Sequence, residues 1–143
     1  MNILKVITKE REIGNIGEKM TCRYLKRRGY KILYRNYVCD GHEIDIIAEN
    51  KEFICFTEVK TRTVKENQSW ESRPADAVDR EKQKNIINAS RLFASINAGR
   101  GKMFRFDVAE VYLYKNKRLK EINYMESAFS PDRTFGRGGF KKG

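Results

Sequence analysis

Two runs of β-branched and aromatic residues, separated by a short polar break, stand out in the hydrophobic pattern at the centre of the chain. Residues 43–48 and 53–62 each have the length and composition of a buried strand, and the break between them has the size of a tight hairpin loop. With the loop at residues 50–51, an antiparallel hairpin places Asp45 opposite Phe56. The pattern therefore predicts two central antiparallel strands.

The predicted hairpin gathers charged side chains on one face. It pairs Glu43 with Glu58 and makes Asp45 and Glu58 diagonal neighbours. Because side chains alternate along a strand, Lys60 and Arg62 share this face. Two carboxylates and a lysine are therefore expected to converge on one spot.

This convergence has two interpretations. Like charges this close repel each other, and a half-buried lysine is costly without a partner. A divalent cation would compensate, because Mg²⁺ prefers one or two carboxylates, several waters and substrate phosphate oxygens, and Lys60 could orient or help to deprotonate a water. The alternative is a structural ion pair at the polar ends of a hairpin, and the spacing alone does not choose between them.

A first helix is predicted before the hairpin, because apolar residues recur at steps of three and four from residue 10 to residue 28 and Gly29 ends the pattern. Glu18 falls at the border of the apolar arc and can reach the edge of the sheet, although an ordinary boundary carboxylate is the alternative. Gly14 and Gly17 are poor helix formers, which suggests the close approach of another backbone or of a phosphate. The apolar positions are Ile13, Ile16, Met20 and Tyr24.

A second helix is predicted from residue 75 to residue 98. Lys82 lies in the middle of its apolar stripe, so the lysine either extends to solvent or reaches a partner, such as the paired carboxylates or a phosphate held there. Gln83, at the edge of the stripe, could hydrogen-bond to substrate. The stripe consists of Val78, Ile86, Ala89, Phe93 and Ile96.

The remaining elements are predicted to be strands. Residues 30–38 precede the central hairpin, and residues 103–114 and 118–125 follow the second helix. A helix between the third and fourth strands is typical of a crossover connection, so the sequence predicts an α/β fold with a mixed central sheet flanked by helices. One domain is expected over residues 1–129, and the basic, glycine-rich residues 130–143 are expected to form a flexible tail.

Charge indicates the kind of partner. The 143 residues include 30 Lys or Arg and 19 Asp or Glu, and the resulting net charge of +11 favours a polyanion without specifying it. Between Lys19 and Arg35 there are seven basic residues and no acidic one, so the first helix presents a positive surface, unless this is only a solvated helix face. The three scattered cysteines, the lack of an export signal and the lack of a long apolar run predict free thiols, no membrane span and a cytoplasmic location.

Other candidate residues contribute less to the prediction. His42, the only histidine, is expected in a turn, which gives little support to histidine-based nucleophilic or zinc chemistry. Residues 63–73 are expected to form a mobile loop beside the site, and Trp70 within it could stack on a base or dock onto the core. Asp107, early in the fourth strand, is expected to anchor the sheet or Arg105 rather than to bind metal.

The motifs resemble those of a known family. Asp45, followed on the next strand by Glu58-Val59-Lys60, looks like the PD-(D/E)XK signature of restriction-endonuclease-like nucleases. The wider pattern is similar to the uncharacterised UPF0102 (YraN-like) family, which is related in fold to archaeal Holliday junction resolvases. His42 in place of a small residue and Thr57 in place of a valine depart from it. The pattern comprises Gly14-x-x-Gly17-Glu18, Leu25, Gly29-Tyr30, Asn36-Tyr37, Glu43-Ile44-Asp45, Phe56, Glu58-Val59-Lys60-x-Arg62, Lys82-Gln83 and Arg105-Phe106-Asp107-Val108.

The resemblance implies a restriction-endonuclease-like αβββαβ core and a metal-dependent nuclease. Asp45 and Glu58 would bind Mg²⁺ or Mn²⁺, Lys60 would serve the attacking water, and Glu18 would be an accessory carboxylate on the helix. The residues expected to complete the site or to hold the scissile phosphate are Arg62, Lys82 and Gln83.

Two functional hypotheses follow. The first is an endonuclease that cuts structured or branched DNA, and the preference for DNA over RNA and the expectation of a homodimer depend on the resolvase resemblance. The second is a nucleic-acid-binding module that keeps the nuclease fold without catalysis. It explains the positive charge equally well, but a module that only binds a polyanion gains nothing from clustered carboxylates.

Overall fold

The structure is a computed structural model and describes residues 3–65, 78–97 and 101–131, with side chains from residue 8 onward. Residues 66–77, which include Trp70, and residues 132–143, most of the predicted tail, lie outside the described residues. The elements in chain order are α1 Ile3–Arg27, β1 Lys31–Cys39, β2 His42–Glu49, β3 Phe53–Thr63, α2 Arg80–Ile96, β4 Met103–Leu113 and β5 Leu119–Phe129.

The five strands form one mixed sheet in the order β1-β2-β3-β4-β5. The β3–β4 pair is parallel, and the other three pairs are antiparallel. α2 lies between the two parallel strands in sequence, as a crossover connection requires. The predicted α/β class and mixed sheet are therefore confirmed. No helix in the described part of the chain is both long and apolar enough to cross a membrane.

α1 starts well before the predicted residue 10 and packs on the sheet through its small residues. The four apolar positions predicted for its buried face are only half-buried. The buried face differs from the predicted one because α1 contacts the sheet at Gly17. A Cβ at this position would lie 1.8 Å from Oγ1 of Thr61 on β3. Only a residue without a side chain permits this approach, whereas Gly14 has no neighbour within 4 Å of the corresponding point. From residue 8 onward, the buried residues of α1 are Gly17, Thr21, Cys22 and Leu25.

α2 begins later than predicted. Asp79 caps its first turn by accepting a hydrogen bond of 2.8 Å from the backbone N–H of Lys82. Ile96, which the sequence assigns to the apolar stripe, is 70% exposed. The 3.6-residue period that passes through Ile86 and Phe93 reaches Asn97 instead. The described helix therefore covers the sheet with fewer residues than the sequence indicates.

The core lies on both faces of the sheet. Under α2, Phe56 of β3 packs edge-on against Phe93, with ring centroids 5.7 Å apart. Under α1, a smaller cluster contains Leu25 and Ile46. Because helices cover both faces of the central strands, the sequences of these strands are apolar at most positions. All three cysteines are free, as predicted.

A buried polar network joins β4 to the strands around it. Asp107, whose side chain is fully buried, accepts hydrogen bonds from Arg105 Nε (3.0 Å), from the Tyr124 hydroxyl (2.6 Å) and from the backbone N–H of Ser127 (2.9 Å). Arg105 also donates to the Tyr30 hydroxyl at 2.8 Å. Asp107 therefore anchors both Arg105 and the sheet, which is the role expected from the sequence.

Candidate active site

The candidate site lies where β2 and β3 separate. The two strands pair with each other as far as Ile46 and Thr57. Beyond this point β2 pairs only with β1, and β3 pairs only with β4. The centre of the sheet therefore opens into a fork between residues 42–45 of β2 and 58–63 of β3, with Asp45 and Glu58 at its base.

The predicted register of the central hairpin is wrong by two positions. Ile47, rather than Asp45, lies opposite Phe56. The turn is wider than the predicted two residues, because the side chain of Asn50 accepts a hydrogen bond of 2.9 Å from the backbone N–H of Glu52. An even shift keeps the predicted alternation of faces. The shift also brings Asp45 level with Glu58, which the predicted register makes only a diagonal neighbour of Asp45.

The alternation of side chains along β2 is interrupted at Asp45. Ile44 and Ile47, three residues apart, both pack in the cluster under α2, whereas Ile46 packs in the cluster under α1. On β1, Asn36 lies between the partners of Ile44 and Ile46 and has a left-handed φ of 52°. This irregularity turns Asp45 toward α1. Asp45 therefore meets Glu58 across the fork. The sequence instead predicts that the two side chains share one flat face of the hairpin.

Three carboxylates form a cluster on the α1 side of the fork. Glu18, Glu43 and Asp45 each contribute one oxygen, and these oxygens all lie within 4.8 Å of one another. With its amide nitrogen turned toward the cluster, Asn36 donates to Glu18 (3.0 Å) and to Glu43 (2.8 Å). Arg35 lies 3.6 Å from Glu18. The cluster is thus held by neutral and cationic donors but retains an excess of negative charge.

Glu58 closes the fork from the α2 side. Its side chain is 6% exposed, and Lys82 Nζ lies 3.5 Å from its Oε2 atom. That oxygen accepts no hydrogen bond from the described residues. Asp45, across the fork, accepts a hydrogen bond of 2.8 Å from the backbone N–H of Val59. The loss of hydration at this buried Glu58 oxygen is therefore offset only in part, by the nearby Lys82.

The burial of these carboxyl groups changes their ionisation. Burial, followed by a hydrogen bond with Asp45 and the negative charge of Asp45, raises the pKa of Glu58 from 4.5 to about 8. Burial, followed by repulsion from Asp45, also raises the pKa of Glu18, which Arg35 only partly opposes. In the metal-free protein the site therefore retains protons that a bound cation would displace.

The other residues predicted for the site are less closely grouped. Lys60 lines the same pocket of about 460 Å³ as Glu18, Asp45 and Glu58. Arg62 lies exposed near the end of β3. The side-chain amide of Gln83 donates to the backbone carbonyl of Val78 at 2.9 Å, in the first turn of α2. A role for Arg62 and Gln83 in binding substrate stays a prediction.

Sequence reasoning gave no role to Glu43 or Asn36. Both belong to the motifs quoted above, and Glu43 lies two residues before Asp45, so an acidic residue at this spacing was the available signal. The contribution of Asn36 depends on its left-handed backbone, which a sequence pattern does not reveal. His42 is the first residue of β2 and pairs with Cys39, rather than lying in the turn as predicted.

Comparisons with known proteins identify close relatives. The model of a family described as "Uncharacterised protein family UPF0102" matches residues 17–111. A UPF0102 protein of Caldicellulosiruptor saccharolyticus is 37% identical over 120 residues, which cover 84% of this chain and 98% of the relative. A UPF0102 protein of Dictyoglomus thermophilum is 39% identical over 119 residues, or 83% of this chain and 98% of the relative. One of Clostridium novyi is 39% identical over 117 residues, or 82% and 94%.

Proposed function

Because the chain belongs to the uncharacterised protein family UPF0102, we propose that its forked site is that of a metal-dependent endonuclease that hydrolyses phosphodiester bonds in structured or branched DNA. The observation that carries the proposal is the meeting of four carboxyl groups at the fork in a protein of net charge +11. One of them, Glu58, has a buried oxygen that accepts no hydrogen bond within the described residues. A cation bound at the fork would compensate the negative charge of these carboxyl groups.

The residues at the fork suit a hard divalent cation. Their donors are carboxylate oxygens, which Mg²⁺ and Mn²⁺ prefer. Asp45 and Glu58 would hold the ion, and Glu18 and Glu43 would bind it directly or through water. When bound, the cation would lower the pKa of a coordinated water and offset the charge that develops on the phosphate.

The chain's own residues orient the reactants. The backbone N–H of Val59 donates a hydrogen bond of 2.8 Å to one carboxylate oxygen of Asp45, which orients the side chain. Lys60 in the pocket wall donates to the attacking water or to a non-bridging phosphate oxygen. Lys82 pairs with Glu58, and in this proposal it also donates to a second phosphate oxygen. Water then attacks phosphorus, and the bond to the opposite ester oxygen breaks as that oxygen takes up a proton.

The proposal is tested by incubating labelled DNA with the full chain in Mg²⁺, Mn²⁺ or EDTA. Single-stranded, duplex, flap and four-way-junction forms are compared, and metal-dependent cutting of one branched form is expected. Glu58→Gln should reduce cutting by about 10²-fold or more, because the charge that holds the cation is lost. Glu52→Gln, an exposed residue in the β2–β3 turn, is the matched control and should cut normally. Binding of every form without cutting by the wild type would favour the non-catalytic alternative.

The raised pKa of Glu58 predicts a pH-dependent affinity for the cation. Between pH 4.5 and about 8 the folded protein holds a proton on Glu58 that the unfolded chain releases. The stability linked to this proton is therefore complete below pH 4.5 and is lost as the pH rises through about 8. Mg²⁺ must displace the proton, so its affinity should rise up to about tenfold per pH unit below pH 8 and then level off.

Calorimetric titration of Mg²⁺ in buffers of different ionisation enthalpy measures the released protons. We expect clear proton release by the wild type at pH 6.5 and much less at pH 9, because Glu58 is then already ionised. Glu58→Gln should show less release at pH 6.5 than the wild type. Equal release by the two proteins would mean that the displaced proton resides elsewhere in the site.

A further inference from the structure

A basic groove separate from the candidate site lies at the C-terminal end of α1, between its last turns and β5. We call it the α1–β5 groove. It has a volume of about 360 Å³, and no acidic residue from the described part of the chain lines it. None of its lining residues lines the candidate active site, which meets α1 around Gly14 and Glu18. Its charged and apolar walls contain Arg23, Tyr24, Arg27, Arg28, Leu119 and Ile122.

Two of the three arginines of the groove have no role in the described part of the fold. Arg23 and Arg27 are exposed and form no ion pair with any described residue. The helix dipole favours positive charge in the last turn, which accounts for Arg27. It does not account for Arg23, one turn earlier. Three guanidinium groups at one groove repel each other unless an anion lies between them.

One of the three cations of the groove, Arg28, is held by stacking. The guanidinium of Arg28 lies 3.6 Å from the centre of the Tyr24 ring, and that ring stacks on Tyr124 with centroids 5.2 Å apart. Tyr124 is in turn fixed by its hydrogen bond of 2.6 Å to Asp107. A guanidinium fixed in this way loses less conformational freedom on binding and keeps its planar set of donors available to phosphate oxygens.

We propose that the α1–β5 groove binds phosphate groups of a nucleic-acid strand, at a position separate from the scissile phosphate. This inference depends on the proposed function for the identity of the polyanion. Arg23 and Arg27 lie one helical turn apart and donate to the strand's phosphates, and Arg28 donates from the Tyr24 stack. Arg27 is on the order of 14 Å along the helix axis from Glu18. The groove therefore holds a part of the substrate beside the bond that is cut, or a second arm of a branched form.

The test compares two variants of equal charge. Arg23→Ala/Arg27→Ala removes two cations from the groove, and Lys51→Ala/Lys84→Ala removes two exposed lysines from the β2–β3 turn and α2. Binding of labelled single-stranded and four-way-junction DNA is measured by fluorescence anisotropy in EDTA over a range of salt concentrations. The arginine variant should weaken binding about tenfold and lower the slope of log affinity against log salt by about 1.5. The lysine variant should change the affinity less than twofold.

Binding in EDTA does not require catalysis, so this experiment tests DNA binding by the groove independently of the nuclease activity. Equal weakening by the two variants would overturn the proposal, because the arginines would then act only through net charge. Arg23→Lys/Arg27→Lys keeps the charge but loses the forked donors, and it should restore only part of the affinity. Anionic phospholipid vesicles provide the last arm: loss of vesicle binding in the arginine variant, with DNA binding intact, would also overturn the proposal.

Discussion

Replacing Asp45 by asparagine is expected to lower the rate of metal-dependent DNA cleavage by on the order of 10³-fold. Asparagine has the size of aspartate, and its side-chain oxygen can still accept the hydrogen bond that the Val59 N–H now donates to Asp45 at 2.8 Å. The local fold should therefore persist while the negative charge at the base of the fork is lost. The rate is measured with saturating metal under single-turnover conditions, so that slow product release does not hide the effect.

Asp40→Asn is the matched control for this variant. Asp40 lies exposed in the β1–β2 turn with φ of 53°, a left-handed conformation that asparagine adopts readily. It should cut at the wild-type rate and be at least as stable. DNA binding in EDTA should be kept by both variants, because neither change removes a basic group. A cleavage rate for Asp45→Asn within tenfold of the wild type would exclude Asp45 as a metal ligand.

Replacing Asp107 by alanine is expected to lower the free energy of unfolding by about 3–5 kcal/mol, because it leaves a buried guanidinium without its buried carboxylate partner. Arg105 is 7% exposed and contacts Asp107 through Nε and through Nη2, the latter at 2.9 Å. The same change removes the acceptor of the Tyr124 hydroxyl. Thermal unfolding should show a fall in melting temperature of roughly 10 °C or more for a chain of this size.

Thr57→Val tests whether this loss comes from the buried charge. The Thr57 hydroxyl lies 2.9 Å from the Tyr124 hydroxyl, at the margin of the same network. Valine has nearly the same shape, and Tyr124 can still donate to Asp107, so a cost of about 1 kcal/mol is expected. If the two variants lost equal stability, the buried ion pair would contribute no more than the single hydrogen bond of Thr57.

The sequence predicted the elements that form the site better than it predicted their contacts. The central strands, their charged ends and the crossover helix follow from local patterns of period two and 3.6. Lys82 is an example: its place in an apolar stripe predicts that it either extends to solvent or reaches a partner such as the paired carboxylates, and it lies 3.5 Å from Glu58. Such inferences succeed because a charged group in an apolar stripe has few partners within reach.

The remaining features depend on contacts that a local pattern does not contain. The register of the hairpin depends on a side-chain acceptor in its turn, Asn50, rather than on the strands. The buried face of α1 depends on a single close approach, between Gly17 and Thr61. The role of Glu43 depends on an interruption of β2 that arises from its pairing with β1. Each of these is a non-local effect, and each moves a side chain at the candidate site.

The fork exposes strand edges that could pair with a strand of another molecule. Where β2 leaves β3, the sheet has an internal edge, and unpaired backbone groups on such an edge can recruit a strand from another chain. Asp45 accepts the hydrogen bond of Val59 N–H, one donor of that edge. An incoming strand would also have to approach the carboxyl groups of Glu18 and Glu43. The acidic residues that suit the site for a cation therefore also protect the opened sheet against pairing between molecules.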